Sequence, residues 1–173
     1  MSGNSGEGAR PGVTPIDDAM FGLLRRRVSI IVASRDAACQ PHVMRALAIR
    51  VSTDRARVTV LMTRTTSRGV LDDIAANGVI AVVVSEPSTH ATAQLKSDDA
   101  VIEPIASGDL ALIEAHAERF ADEISMGGFS RQLAHAILDR GDGEFVAVSF
   151  TPRQAFDQTP GPRAGRAIEA APR

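Results

Sequence analysis

The chain has 173 residues, a length that fits a single domain, and its 44% hydrophobic and 23% charged content is that of ordinary globular material. With Lys+Arg 19 against Asp+Glu 21 the net charge is −2, so no global positive field exists to draw in a nucleic-acid backbone or an anionic membrane. One cysteine, Cys39, excludes an internal disulfide and a cysteine-cluster zinc site, and the absence of Trp and Tyr leaves few platforms for base stacking.

Residues 1–15 are punctuated by Gly and Pro and cannot bury enough apolar surface to offset their ordering entropy, so they read as a disordered tail. Asp17 or Asp18 caps a short helix through Met20, Leu23 and Leu24 that ends in the arginine cluster 25–27. The β-branched segment 28–34 is a first strand. The segment 42–52 is a second, with Val43, Arg45, Leu47, Ile49 and Val51 on one parity, and 57–63 is a third. Short turns join the three, which predicts an antiparallel meander.

Ser67 then reads as an N-cap for a helix over 68–76 with Val70, Leu71 and Ile74 inward, stopped by Asn77-Gly78. The run 79–84 is apolar on both parities and predicts a strand covered on both faces. From His90 to Lys96 the sequence alternates: His90, Thr92, Gln94 and Lys96 share one face, Ala91, Ala93 and Leu95 the other. A strand at 100–105 follows. Apolar residues spaced by three and four predict a helix from Asp109 to Met126, broken by Gly127-Gly128, then a helix from Ser130 to Arg140. Gly141-Asp142-Gly143 turns the chain into a last strand, 144–150. The Gly/Pro-rich stretch 159–173 reads as a flexible tail, leaving 16–158 as the folded body. The expected fold is mainly β (α+β), a six-stranded antiparallel split β-barrel with peripheral helices.

The chemistry concentrates in MTRTTSRGVL, 62–71, where a strand end, a hydroxyl-rich loop and a helix start follow one another. Helix N-termini offer unpaired N–H groups and a positive dipole end to a phosphate, and Arg64 and Arg68 add charge. The competing reading is that Ser67 merely caps and the arginines sit in water. Arg45 shares its parity with apolar residues, which demands an anion: a ligand, or a carboxylate such as Asp72 or Asp73. Gln94 carries a donor and an acceptor suited to the edge of a heterocycle, on what is otherwise a solvated strand face.

The order RALAIR (45–50), VLMTRTTSR (60–68), VIAVVVSEPSTHATAQLKS (79–97) and FTPRQAFDQTPGP (150–162) resembles the pyridoxamine 5′-phosphate oxidase-like FMN-binding split-barrel family over about residues 25–160. The resemblance implies an FMN-dependent oxidoreductase acting on a small-molecule redox substrate. It implies an obligate homodimer with the cofactor at the interface. It assigns the flavin phosphate to Arg45, Arg50, Ser67 and Arg68, borders the cofactor with Met62 and Thr63, and brings Gln94 to the ring from the partner subunit. Gly69 stands where the family carries a lysine, and the Trp and C-terminal Arg-x-His signature of pyridoxal phosphate production are missing, so true pyridoxamine-phosphate oxidase activity is not expected. The same fold also serves deazaflavin, haem and cofactor-free proteins.

No residue stands out as an obligatory acid or base, as expected where the cofactor carries the reaction. His42, His90, His116 and His135 show no metal spacing, and Cys39 sits alone in a turn. The apolar run 79–84 is far too short to cross a membrane, for which roughly 20 residues are needed, and the N-terminus has no apolar block after a charged start. A cytoplasmic protein, binding neither nucleic acid nor membrane, is the expectation.

Overall fold

The computed structural model describes residues 15–141 and 143–168. Helix α1 (Asp18–Leu24) begins where the Asp17 carboxylate accepts the Met20 N–H at 2.8 Å, and it buries Met20, Leu23 and Leu24. Strand β1 (Ser29–Arg35) alternates buried and half-buried residues and pairs antiparallel with β2 (Pro41–Arg45). Strand β3 (Ala48–Val51) pairs with β4 (Val58–Thr63), which is buried along its whole length.

The segment 42–52, expected as one strand, is therefore two. The Ala46 N–H bonds the Ile30 carbonyl at 3.0 Å and the Leu47 N–H bonds the Leu61 carbonyl at 2.7 Å, so within two residues the chain leaves one sheet and joins another. This switch ends the shared parity that the sequence assigned to Arg45 and the residues after it.

Helix α2 (Arg68–Asn77) ends at Gly78, whose φ of 68° closes the helix in the left-handed conformation. Strands β5 (Ile80–Ser85), β6 (Thr92–Ser97) and β7 (Val101–Glu103) follow, then α3 (Asp109–Met126), α4 (Arg131–Ile137), β8 (Phe145–Phe150), β9 (Gln154–Asp157) and β10 (Arg166–Ala167). Helix α3 has the predicted bounds, and Ser130 caps α4 by accepting the Leu133 N–H at 3.2 Å.

All strand pairs are antiparallel, in a six-stranded sheet of order β10-β9-β6-β5-β1-β2 and a four-stranded sheet of order β3-β4-β8-β7. The protein is α+β, as expected, but the described strands form two open sheets rather than one closed six-stranded barrel. The main core lies between the sheets: Ile30, Val32, Val82 and Leu95 from one face Val60, Met62, Val148 and Phe150 from the other, with α1 and α2 closing the gap. The opposite face of the four-stranded sheet, with Ala48, Leu61 and Ala147, is sealed by Ile113, Ala117 and Phe120 of α3 and Ala134 of α4. Each fully buried Val, Leu, Ile, Met or Phe side chain among these contributes about 1.5–3 kcal/mol relative to exposure.

Strand β5 is not covered on both faces as expected. Ile80, Val82 and Val84 are buried, whereas Ala81, Val83 and Ser85 are only half-buried, on a face of the six-stranded sheet that none of the described helices covers. The folded body also runs past residue 158, where it was expected to end. Strand β10 pairs with β9, the Ile168 N–H bonds the Ala155 carbonyl at 2.8 Å, and Ile168 packs against the main core. Of the expected 1–15 tail only Pro15 is described, and 169–173 also lie outside the described residues. Among the described residues no helix is long and apolar enough to cross a membrane.

Candidate functional site

Strand β4 runs through the interior and ends at Thr63, where the chain turns into α2. The Thr63 carbonyl accepts the Ser67 N–H at 3.2 Å, and the Ser67 carbonyl accepts the Leu71 N–H at 3.0 Å. Ser67 occupies the N-cap position, but its side chain does not cap the helix. Its hydroxyl and that of Thr63, on residues 1% and 2% exposed, are both buried without a hydrogen-bond partner. A buried hydroxyl left unpaired costs about 1–3 kcal/mol, so two at one helix opening mark a place built to donate to something else.

A cavity of about 260 Å³ adjoins this turn, lined by Arg64, Thr65, Arg68, Leu71, Asp72 and Glu144. Arg64 pairs with Glu144 at 3.0 Å, whereas Arg68 is exposed and makes no ion pair among the described residues. Gly141, at φ +55°, approaches so closely that a Cβ there would come 3.1 Å from the Thr63 methyl. Met62, by strand alternation, points the other way into the main core and is 0% exposed, so its side chain lies beneath the strand end rather than on the cavity wall.

The second flank of α2 meets β2. Asp73 is 5% exposed, and its Oδ2 receives the Ser34 hydroxyl at 2.6 Å and lies 2.8 Å from His42 Nδ1. Burial alone would push the Asp73 carboxyl up, but these two partners hold it below the usual carboxylate value. The His42 ring lies against the opening turn of α2: a Cβ on Gly69 would sit 2.8 Å from its Cδ2. A histidine from β2 thus fills the space a side chain at 69 would need.

Arg45 points away from all of this. Its cross-strand partner is Ile31, then Val83, Gln94 and Phe156 in turn across the sheet, so the five share one row on the uncovered face. The Arg45 guanidinium donates to the Ser29 hydroxyl on that face, and burial lowers its pKa. Gln94 in the same row is half-buried and its Oε1 accepts from Gln158 Nε2 at 3.4 Å. Val43 in the next row is 62% exposed. Arg45 and the opening of α2 therefore flank opposite faces of β2, and Asp73, a partner the sequence offered to Arg45, belongs to Ser34 and His42.

Arg50 is elsewhere again. It donates from Nε to Asp109 Oδ1 at 3.0 Å, at the start of α3, and lines a cavity of about 530 Å³ with His116 and Arg119. Sequence reasoning weighed His116 only as a metal ligand and passed over Arg119, although the apolar stripe of α3 (Ile113, Ala117, Phe120) runs through position 116. Of the sequence-derived set, the structure brings together Thr63, Ser67 and Arg68, with Met62 beneath them; Arg45 and Gln94 form a second group, and Arg50 a third.

No family model and no curated protein matches the chain. Solved structures do. HupZ of Group A Streptococcus is similar over 87% of this chain and 99% of its own, at 19% identity and a TM-score of 0.51. A pyridoxamine 5′-phosphate oxidase-related, FMN-binding protein of Nostoc punctiforme is similar over 87% of each chain, at 14% identity and a TM-score of 0.50. An F420 reductase is similar over 78% of this chain and 93% of its own, at 16% identity and a TM-score of 0.50. Together with the two-sheet topology, these likenesses give the chain the fold of the pyridoxamine 5′-phosphate oxidase-related proteins, the fold that its sequence motifs resemble.

Proposed function

We propose that this protein binds FMN between two copies of the chain and acts as a flavin-dependent oxidoreductase on a small-molecule redox substrate. The observation that carries the reading is the pair of partnerless buried hydroxyls, Thr63 and Ser67, at the opening of a ten-residue helix beside Arg68. A phosphomonoester there would take hydrogen bonds from both hydroxyls and from the helix N–H groups, with Arg68 supplying charge. These residues fit the phosphate of the flavin. Arg45 and Gln94, on the uncovered sheet face, would serve the site of the partner subunit, with Ile31, Val83 and Phe156 as the apolar part of the contact. When bound, the flavin supplies hydride or electron transfer; the chain binds, orients and excludes water.

The placement of Arg45 on the opposite side of β2 from the α2 opening favours a second reading, a ligand-binding dimer that carries no flavin. One set of measurements separates the two. Purified protein should show a flavin absorption spectrum and a light-scattering mass twice 18.3 kDa. Added FMN should bind much more tightly than riboflavin, and Arg68→Ala with Ser67→Ala should weaken FMN at least ~tenfold while leaving riboflavin unmoved. Equal affinity for FMN and riboflavin, or a colourless monomer that takes up neither, would sink the flavin reading. A deazaflavin or haem spectrum would replace the cofactor.

A further inference from the structure

The cavity of about 530 Å³ that holds Arg50 lies between the end of α1, β3 and the middle of α3, and its polar groups are unlike those of any other cavity described above. Four arginines line it, Arg25, Arg26, Arg50 and Arg119, and among the described lining residues none is acidic. Arg26 and Arg50 each reach a carboxylate outside the lining, Glu86 at 3.2 Å and Asp109 at 3.0 Å. The Nε of Arg119 is buried with no partner. The walls between the cations are apolar and include Leu24, Ile49 and the ring of Phe21, over which Arg25 stacks at 5.2 Å.

His116 completes the set. It is 2% exposed, and its Nε2 has no partner, so the hydrogen bond it makes to the Val28 backbone uses the other ring nitrogen. Burial first, and the nearby Arg119 charge second, push its pKa down to about 4, against the Val28 bond. The ring is therefore neutral near pH 7, with the proton on the nitrogen facing Val28 and a lone pair on Nε2. An arginine Nε without an acceptor and an imidazole lone pair without a donor, three residues apart on one helix, ask for a ligand that is anionic at one point and carries a hydrogen-bond donor at another.

We propose that this cavity is a binding site, separate from the α2 opening, for a hydroxylated aromatic acid: its anionic group held by Arg119 and Arg50, its ring against the apolar walls, its hydroxyl donating to His116 Nε2. The site takes no part in anchoring a flavin phosphate and stands or falls apart from that reading.

Calorimetric titration of the purified full-length protein, with whatever cofactor it carries, tests the assignment using 4-hydroxybenzoate as the probe and benzoate as its comparator. One equivalent of 4-hydroxybenzoate should bind per chain, about tenfold more tightly than benzoate, because only the hydroxylated acid satisfies His116. Arg119→Met and Arg50→Met should each weaken it about tenfold or more, while Arg68→Ala leaves it unchanged. In the unaltered protein the ¹⁵N resonance of His116 Nε2 should shift on saturation with 4-hydroxybenzoate and not with benzoate, a readout that needs no variant to fold. Absence of saturable binding in the millimolar range overturns the site. So does binding that survives both arginine substitutions or is lost in Arg68→Ala. Equal affinities for the two acids, with an unmoved Nε2 resonance, overturn the role of His116.

Discussion

Two corners of this molecule bury an ionisable side chain against the main core, and they treat it differently. Where α2 meets β1 and β2, Asp73 is tied to Ser34 and His42 through a single carboxylate oxygen, and its charge is kept by those bonds. Where α3 meets α1 and β3, His116 loses its charge to burial and keeps one ring nitrogen unused. The first arrangement joins an edge strand to a helix and leaves little capacity for a ligand. The second holds a polar atom and a neighbouring guanidinium in reserve inside a cavity. Satisfied groups hold the fold together; unsatisfied ones of equal burial point to binding.

Removing Asp73 tests the first half of that contrast and should have the largest effect. Asp73→Ala leaves the buried Ser34 hydroxyl without its acceptor and frees His42 from the helix. A loss of about 3 kcal/mol is expected, read as a lowered urea midpoint with an unchanged slope. A loss under a third of that would mean the corner is not a structural clamp.

The second half has a pH signature. The folded pKa of His116 is depressed to about 4 from 6.5, so between those values the unfolded chain holds a proton that the native state lacks. Stability then rises with pH across this window and is lost as pH falls through it. Between pH 7 and pH 5 the change should be about 2 kcal/mol, and His116→Phe should flatten it. Asp73, Asp99 and Asp157 are also held low, from 3.8, so what they contribute is lost only in stronger acid and does not blur this interval. An equal slope in the variant would show that His116 takes up its proton alike in the folded and unfolded chain, so that burial does not depress it.

How much of this could be read beforehand depended on whether a feature leaves a side-chain rhythm. Helix α3 was legible to the residue because its apolar positions recur at three and four and a Gly pair stops it. The face shared by Thr92, Gln94 and Lys96 was legible from simple alternation. The sheet change at Ala46 and Leu47 was not, because apolar residues continue across it; only the backbone partners, Ile30 on one side and Leu61 on the other, reveal it. Strand β10 was hidden for a related reason: a Gly/Pro-rich segment held by main-chain bonds has no hydrophobic period. At the site, the strand–loop–helix order disclosed Ser67 and Arg68, but the family resemblance placed Arg45 and Arg50 with them, although Arg50 lies on the opposite parity from Arg45. Contact among those arginines depends on which face of β2 and which end of β3 each occupies, and the sheet switch between them decides both.

Gly69 supplies the smallest and most discriminating effect. A Cβ there would collide with the His42 ring at 2.8 Å, yet that ring is about half exposed and can swing away if it gives up Asp73. Two opposed contributions then meet. Alanine improves helix propensity over glycine by up to about 1 kcal/mol, while breaking the His42–Asp73 contact costs about as much or more. In the otherwise unaltered protein Gly69→Ala should therefore be neutral to destabilising by about 1 kcal/mol. In a His42→Ala background the collision is gone, and the same substitution should stabilise by several tenths of a kcal/mol, roughly its propensity gain at a first helical turn. The reversal of sign is the measurement. If Gly69→Ala has the same effect in both backgrounds, the imidazole does not lie on the opening turn of α2, and the separation drawn here between the clamped flank of that helix and its open one is lost.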